Sequence, residues 1–294
     1  MKIFITGHKG FLGTHFTNYI DSNKSKDIQW TGYDLSENKN DICDKYSLDF
    51  HIRKFNPDIV IHLAAKAGVT ESKIYPNEYI QSNIIGTQNL VDICENNKIK
   101  NLIFLSSSSV YGNISEEFIK ESNVKNPSSL YGITKLAGEH IVNNSDLNTA
   151  IIRPFTIYGP QGRPDGIIYK WISEIKKHGT ITIYGDVSSY RGYVYYEDLI
   201  KAILTICEAM IKNDKSKLPC KHEDFNLSGS KIYLKDIVDV FEEFVPNIEK
   251  IYIERPKEDI YGQIADGNKA WEFLNFNPPV KFKDNLRKIL KKEL

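Results

Sequence analysis

The chain has 294 residues, 41% of them hydrophobic and 26% charged, the composition of an ordinary globular protein rather than a disordered or fibrous one. Its 38 basic and 38 acidic residues cancel, which argues against the bulk electrostatic footprint of a nucleic-acid binder or of a protein held on an anionic membrane. No apolar run approaches the roughly 18 residues of a membrane span, and the stretch Met1 to Gly7 is too short for a secretory signal. Cys43, Cys94, Cys207 and Cys220 lack zinc-like spacing and read as reduced thiols, so the expectation is a cytoplasmic protein without a metal site.

Short β-branched runs alternate with longer amphipathic stretches through the first half. Lys2–Thr6 is a predicted strand and Leu12–Asn23 a helix; Ile28–Tyr33 is the next strand, followed by a polar loop over Asp34–Lys45. Asp58–Leu63 and Asn101–Leu105 are strands separated by a helix over about Pro76–Asn97, then Tyr131–Asn143 is helical and Thr149–Arg153 again a strand. This rhythm predicts an α/β protein with a Rossmann-type, doubly wound parallel sheet. Ile59-Val60-Ile61 shows no polar alternation, as expected of a strand covered on both faces. After Phe155 the rhythm breaks at a loop rich in glycine and proline, Tyr158 to Pro164. Short strands (Ile181–Tyr184, Val194–Tyr195), a helix over Leu199–Ile211, a polar loop over Lys212–Glu223 and a lysine-rich helical end follow. The expected division is a dinucleotide-binding domain at 1–155, with part of 185–205 returning to it, and a smaller mixed α/β substrate domain at 156–294.

Gly7-His8-Lys9-Gly10-Phe11-Leu12-Gly13 lies between the first strand and the first helix. Glycine permits the tight turn and the close approach of a phosphate, and the helix N-terminus supplies free N–H groups and the positive end of its dipole. Asp34 ends the second strand, where a carboxylate accepts both ribose hydroxyls of adenosine and repels a 2′-phosphate, so NAD is preferred to NADP. Asp41 and Ile42 are candidates for the adenine amino group and ring face. Tyr131 and Lys135 stand at i and i+4 on one helix face, where an ammonium lowers the pKa of a neighbouring phenol. The run Ser106-Ser107-Ser108-Ser109 follows a strand whose C-terminal end is where open α/β sheets bind ligands.

With these motifs assembled, the sequence resembles the extended short-chain dehydrogenase/reductase family of NAD-dependent epimerases and dehydratases, which act mainly on nucleotide sugars. The resemblance extends over His62-Leu63-Ala64-Ala65, Ser82-Asn83-Ile84-Ile85-Gly86-Thr87 and Arg191-Gly192-Tyr193-Val194-Tyr195-Tyr196-Glu197-Asp198. It implies Tyr131 as general base and acid, Lys135 as its tuner and the anchor of the nicotinamide ribose, and Ser107 as partner of the reacting hydroxyl. It also implies a cofactor site of Gly7, Gly10, Phe11, Leu12, Gly13, Asp34, Asp41, Ile42, Leu63, Ala64, Ala65 and Asn83 together with Tyr131 and Lys135.

Ser108 and Ser109 stand where dehydratases of this family carry an acidic pair, and a serine run is what its 4-epimerases show. Arg153-Pro154-Phe155-Thr156-Ile157-Tyr158-Gly159, followed by Arg163-Pro164-Asp165, looks like the UDP-glucuronate 4-epimerases, in which the threonine and arginine matching Thr156 and Arg163 meet the sugar carboxylate. Gly166 departs from the methionine usual there, and the second half is shorter. Arg191, Arg255 and Asp259 match positions that hold the nucleotide diphosphate and ribose. The expectation is thus an NAD-dependent 4-epimerase of UDP-glucuronate/UDP-galacturonate or UDP-glucose/UDP-galactose, a homodimer without nucleic-acid or membrane partners; a 4-keto-sugar reductase and a non-catalytic dinucleotide sensor stay open as alternatives.

Overall fold

The computed structural model describes residues 1–22, 27–37, 39–256 and 260–294. Six parallel strands form the central sheet, in the spatial order His222–Leu227, Asn148–Pro154, Asn101–Leu105, Ile59–His62, Lys2–Thr6, Gln29–Tyr33. From the strand at Lys2–Thr6 the chain runs first to one side and then, from Ile59–His62 onward, to the other. The order therefore reverses at the C-terminal ends of these two strands, and a crevice opens there.

Helices cover both faces because the central strands are apolar on both. Ile59, Val60 and Ile61 are fully buried. Ile59 and Ile61 pack with Leu12, Phe16 and Ile20 of the helix Phe11–Ser22 and with Ile203 and Ile206 of the helix Tyr196–Lys212. Val60 faces the other way, into a cluster with Leu48, Ile52, Leu90 and Val142 of the helices Lys45–Phe55, Gly86–Asn96 and Leu130–Asn143. A second core, built around Trp171 and Phe241 at 5.4 Å between ring centres, holds the smaller region together.

Three features depart from expectation. The polar loop after Tyr33 gives way to a helix at Lys45–Phe55, capped by the Asp44 side chain accepting from the Ser47 N–H at 3.0 Å. The helix expected over Pro76–Asn97 is interrupted by a wide π turn at Gln81–Ile85, so Asn83 turns inward, 2% exposed. The central sheet also draws on chain beyond the expected return at 185–205: Tyr196–Lys212 packs on one face and His222–Leu227 forms an edge strand. Asn23, the expected end of the first helix, lies outside the described residues.

Candidate active site

The glycine turn lies at the crevice. Gly7 has φ +76°, and a Cβ there would fall 2.5 Å from the Ala64 backbone nitrogen, so only glycine lets the turn pass the end of the neighbouring strand. Leu63 and Ala64 are tied back to Thr6, by the Leu63 N–H to the Thr6 carbonyl at 3.0 Å and the Ala64 N–H to its hydroxyl at 3.3 Å. Together with Ala65 they leave a partly open ledge beside Gly7 and Gly10. The helix that starts at Phe11 carries no acid in its first turn, leaving Leu12, Gly13 and the first amides compatible with an anion.

Across this turn, the Asp34 carboxylate accepts from the Lys9 N–H at 2.9 Å and from the N–H and hydroxyl of Ser36 at 3.0 and 2.7 Å. Burial pushes its pKa up, but these hydrogen bonds outweigh burial and hold it below the usual carboxylate value. A fixed, ionised carboxylate beside a glycine turn and an unopposed helix N-terminus fits the ribose and pyrophosphate of a dinucleotide. Asp41 accepts from the Cys43 N–H at 2.8 Å, while Ile42 is 6% exposed and packs against Gly86. Asn83 uses its amide on the N–H and C=O of Lys66, at 2.8 and 2.9 Å, and on the Thr134 hydroxyl at 3.0 Å. Its influence on the crevice thus passes through the 64–66 ledge and the helix bearing Tyr131.

That helix begins where Ser129 accepts from the Gly132 N–H at 3.1 Å. Gly132 lets it approach the serine run, since a Cβ there would lie 2.5 Å from the Ser109 carbonyl oxygen. The close approach brings the Ser107 hydroxyl near enough to the Tyr131 phenol to favour its ionised form. Ser107 also donates to the Ser109 hydroxyl at 3.1 Å and accepts from the Ser109 N–H at 3.1 Å; Ser108 carries its carbonyl toward the Gln263 amide at 3.4 Å. Burial raises the Tyr131 pKa, against the opposing influence of the Arg163 charge and the nearby Ser107 hydroxyl.

One turn on, Lys135 is 3% exposed, and its ammonium stands 4.4 Å from the centre of the Phe104 ring. Burial pulls its pKa down to about 7, with Glu139 acting in the opposite sense. His62, bonded to the hydroxyls of Thr6 at 2.8 Å and Thr87 at 3.1 Å, is held neutral by burial and by Lys135, its pKa pushed down to about 3.

On the other side of Tyr131, Arg163 pairs with Asp165 through Nε to Oδ1 at 2.9 Å and through a second contact of Nη2 with Oδ2. The Tyr79 ring lies 6.3 Å from that of Tyr131, and its hydroxyl donates to the carbonyls of Ala67 and Gly68. Beyond this pair a cavity of about 250 Å³ opens, lined in part by Thr156, Asp165, Trp171, Tyr184, Tyr190 and Arg191. Arg191 donates to the Tyr261 carbonyl at 3.1 Å and Arg255 lies 5.1 Å over the Tyr261 ring, so two arginines meet at one tyrosine. Asp259 lies outside the described residues.

Sequence reasoning missed Trp171 and Tyr184, a core residue and a strand residue that also line this cavity. It also missed Glu139 and Arg153, a fully buried ion pair beneath the tyrosine helix. The i+4 spacing of Glu139 after Lys135 was the available signal.

A parallel sheet whose order reverses beside a glycine turn, with tyrosine, serine and buried lysine at the same mouth, defines a dinucleotide-dependent enzyme of the Rossmann type. The sequence profile of the NAD dependent epimerase/dehydratase family matches residues 3–227, and the chain belongs to that family. Over 316 residues it is 29% identical to a UDP-glucuronate 4-epimerase of Thermodesulfobacterium geofontis, covering 97% of this chain and 94% of the relative. The crystal structure of the UDP-glucuronic acid 4-epimerase of Bacillus cereus with UDP-glucuronic acid and NAD matches all of both chains, at 28% identity and a TM-score of 0.86. A UDP-N-acetylglucosamine 4-epimerase from Methanobrevibacter ruminantium M1, crystallised with UDP-N-acetylmuramic acid, matches at 27% identity and a TM-score of 0.83, over 100% of this chain and 99% of that one.

Proposed function

We propose that this protein is an NAD-dependent 4-epimerase of a UDP-sugar, with a UDP-hexuronate as the preferred substrate. The observation that carries the reading is the packing of the Tyr131 helix against the serine run at the crevice, through Gly132 and the Ser109 carbonyl, with buried Lys135 one helical turn on. Gly7, Gly10, Gly13 and Asp34 would hold the pyrophosphate and adenosine ribose of NAD, and Lys135 its second ribose. When bound, NAD supplies the acceptor and donor of hydride at C4 of the sugar.

Tyr131 takes the proton of the C4 hydroxyl and later returns it to the oxygen on the opposite face. Ser107 fixes the phenol and the sugar oxygen in one plane of hydrogen bonds, and the Lys135 ammonium favours the phenolate. Arg191 and Arg255 hold the pyrophosphate, leaving the sugar free to turn about that tether while Trp171 and Tyr184 close the nucleotide in. Thr156 and Arg163 select a carboxylate at C5. Binding it requires Arg163 to share or release Asp165, and a guanidinium with two usable edges can hold two carboxylates at once.

Cofactor released on denaturation, together with NMR of the products formed from UDP-glucuronate, UDP-glucose and UDP-N-acetylglucosamine, tests the reading. Inversion at C4 without net cofactor consumption is the expected result; stoichiometric consumption of NADH would replace it with a 4-keto reductase. We further read the protein as a cytoplasmic homodimer joined through the helices Pro76–Ile80, Gly86–Asn96 and Leu130–Asn143, on which Ile80 and Ile133 are exposed. Light scattering measures the dimer directly.

A further inference from the structure

Below the tyrosine helix lies a chain of buried polar groups that the proposed reaction does not itself use. Glu139 stands one turn beyond Lys135, 3% exposed. Its carboxylate accepts from Arg153 Nε at 2.7 Å and Nη2 at 2.9 Å, and from the Ser106 hydroxyl at 2.5 Å. Arg153 Nη1 in turn reaches the Tyr111 hydroxyl at 3.0 Å and Asp224 at 2.8 Å. Asp224 meets Lys269 at 3.0 Å, and Tyr111 donates to Asn226 at 2.7 Å. The chain runs from Glu139, four residues after Lys135 on the same helix, to a carboxylate at the edge strand, where solvent reaches it.

A buried ion pair adds little stability compared with apolar residues of the same volume, because desolvating two charges consumes most of their attraction. This one has a definite location: it puts a fixed negative charge on the helix face that carries Lys135. The other groups that meet that ammonium are uncharged: His62, held neutral, from the strand Ile59–His62, and the Phe104 ring from Asn101–Leu105. Lys125, whose surroundings include Arg153, Glu139 and Asp224, adds a further positive charge on the outer side.

We propose that Glu139, held by Arg153 and Ser106, is a positioning residue that keeps Lys135 charged and in place one turn from Tyr131, and that the Arg153–Asp224 contact sets how much of its negative charge Lys135 feels. The proposal rests on the Tyr131–Lys135 pair being the reacting pair. Neutralising Glu139 removes the attraction and leaves the Arg153 cation unbalanced, so both changes favour deprotonated Lys135. Neutralising Asp224 leaves Arg153 and Lys269 less balanced and acts in the same direction from further away.

The test uses the full-length protein with isotope-labelled lysine, the Lys135 resonance being assigned by its loss in Lys135→Met. In Glu139→Gln the NMR titration midpoint of Lys135 falls by about one pH unit or more, the size expected for loss of an adjacent opposite charge. The alkaline limb of kcat/KM moves down by the same amount, which a purely structural role would not cause. Asp224→Asn, altered at a 28% exposed side chain, moves the midpoint in the same direction by less, and it decides the matter alone if Glu139→Gln does not fold. An unchanged or raised midpoint in a folded variant overturns the proposal. Absence of turnover on every UDP-sugar would count against the epimerase reading only, because the lysine titration is read without substrate.

Discussion

Replacing Arg153 by methionine tests the energetics of this interior most severely. Arg153 is 1% exposed and makes four contacts through three nitrogens: two with Glu139, one with Tyr111 and one with Asp224. Methionine fills much of the same volume, so the dominant loss is electrostatic. Tyr111 keeps Asn226 and Asp224 keeps Lys269, whereas Glu139 is left with Ser106 alone in the interior. Breaking a buried pair from one side costs about 3–5 kcal/mol, a large share of the 5–15 kcal/mol by which domains are typically stable. The double variant Arg153→Met/Glu139→Leu removes the orphaned carboxylate and recovers most of that loss. Urea denaturation of the wild type, both single variants and the double variant gives the coupling, expected at about 2 kcal/mol or more. A single-variant loss below about 1 kcal/mol, or a double variant as unstable as the sum of the singles, would show that the pair is not the buried, mutually dependent unit described.

Tyr131→Phe lowers kcat by about 10²–10⁴-fold while NAD stays bound, measured by product NMR and by cofactor released on denaturation; full turnover would remove Tyr131 from the mechanism. Arg163→Ala weakens UDP-glucuronate by about ten- to hundredfold, the value of one charge-assisted contact, and UDP-glucose far less; equal losses would mean that Arg163 does not read a carboxylate. Gly7→Ala forces a side chain into a positive-φ turn 2.5 Å from the Ala64 nitrogen, so the purified variant carries little NAD; an ordinary cofactor content refutes the tight turn. His62, neutral in the fold with a pKa near 3, takes a proton more readily once unfolded, near pH 6.5. Its depressed folded pKa therefore removes stability as pH falls from 6.5 towards 3, by about 2 kcal/mol at pH 5. His62→Asn flattens that part of the profile, and an unaltered profile assigns the acid sensitivity elsewhere.

Local signals carried most of the glycine-turn side of the candidate site. Glycines at 7, 10 and 13 between an apolar strand and an amphipathic helix, and an aspartate ending the next strand, owe their placement to the backbone around them, so the pattern survives in one dimension. Tyr131 and Lys135 were legible for the same reason, because a single helical turn relates them. Asn83 was found as a motif residue, but its hydrogen bonds to Lys66 and Thr134 required the wide turn at Gln81–Ile85, which apolar periodicity does not announce.

The sequence by itself determined the alternation of strand and helix, the glycine turn and the tyrosine–lysine face, since each depends on neighbours within a few residues. Only the tertiary structure decided that His222–Leu227 completes the central sheet, that Trp171 and Tyr184 line one cavity with Arg191, and that Arg153 meets Glu139. Those partners are separated along the chain by anything from 14 residues to most of a domain, and what joins them is desolvation. A charge or ring finds its partner when water is excluded from both, and that exclusion exists only after the sheets and helices have packed.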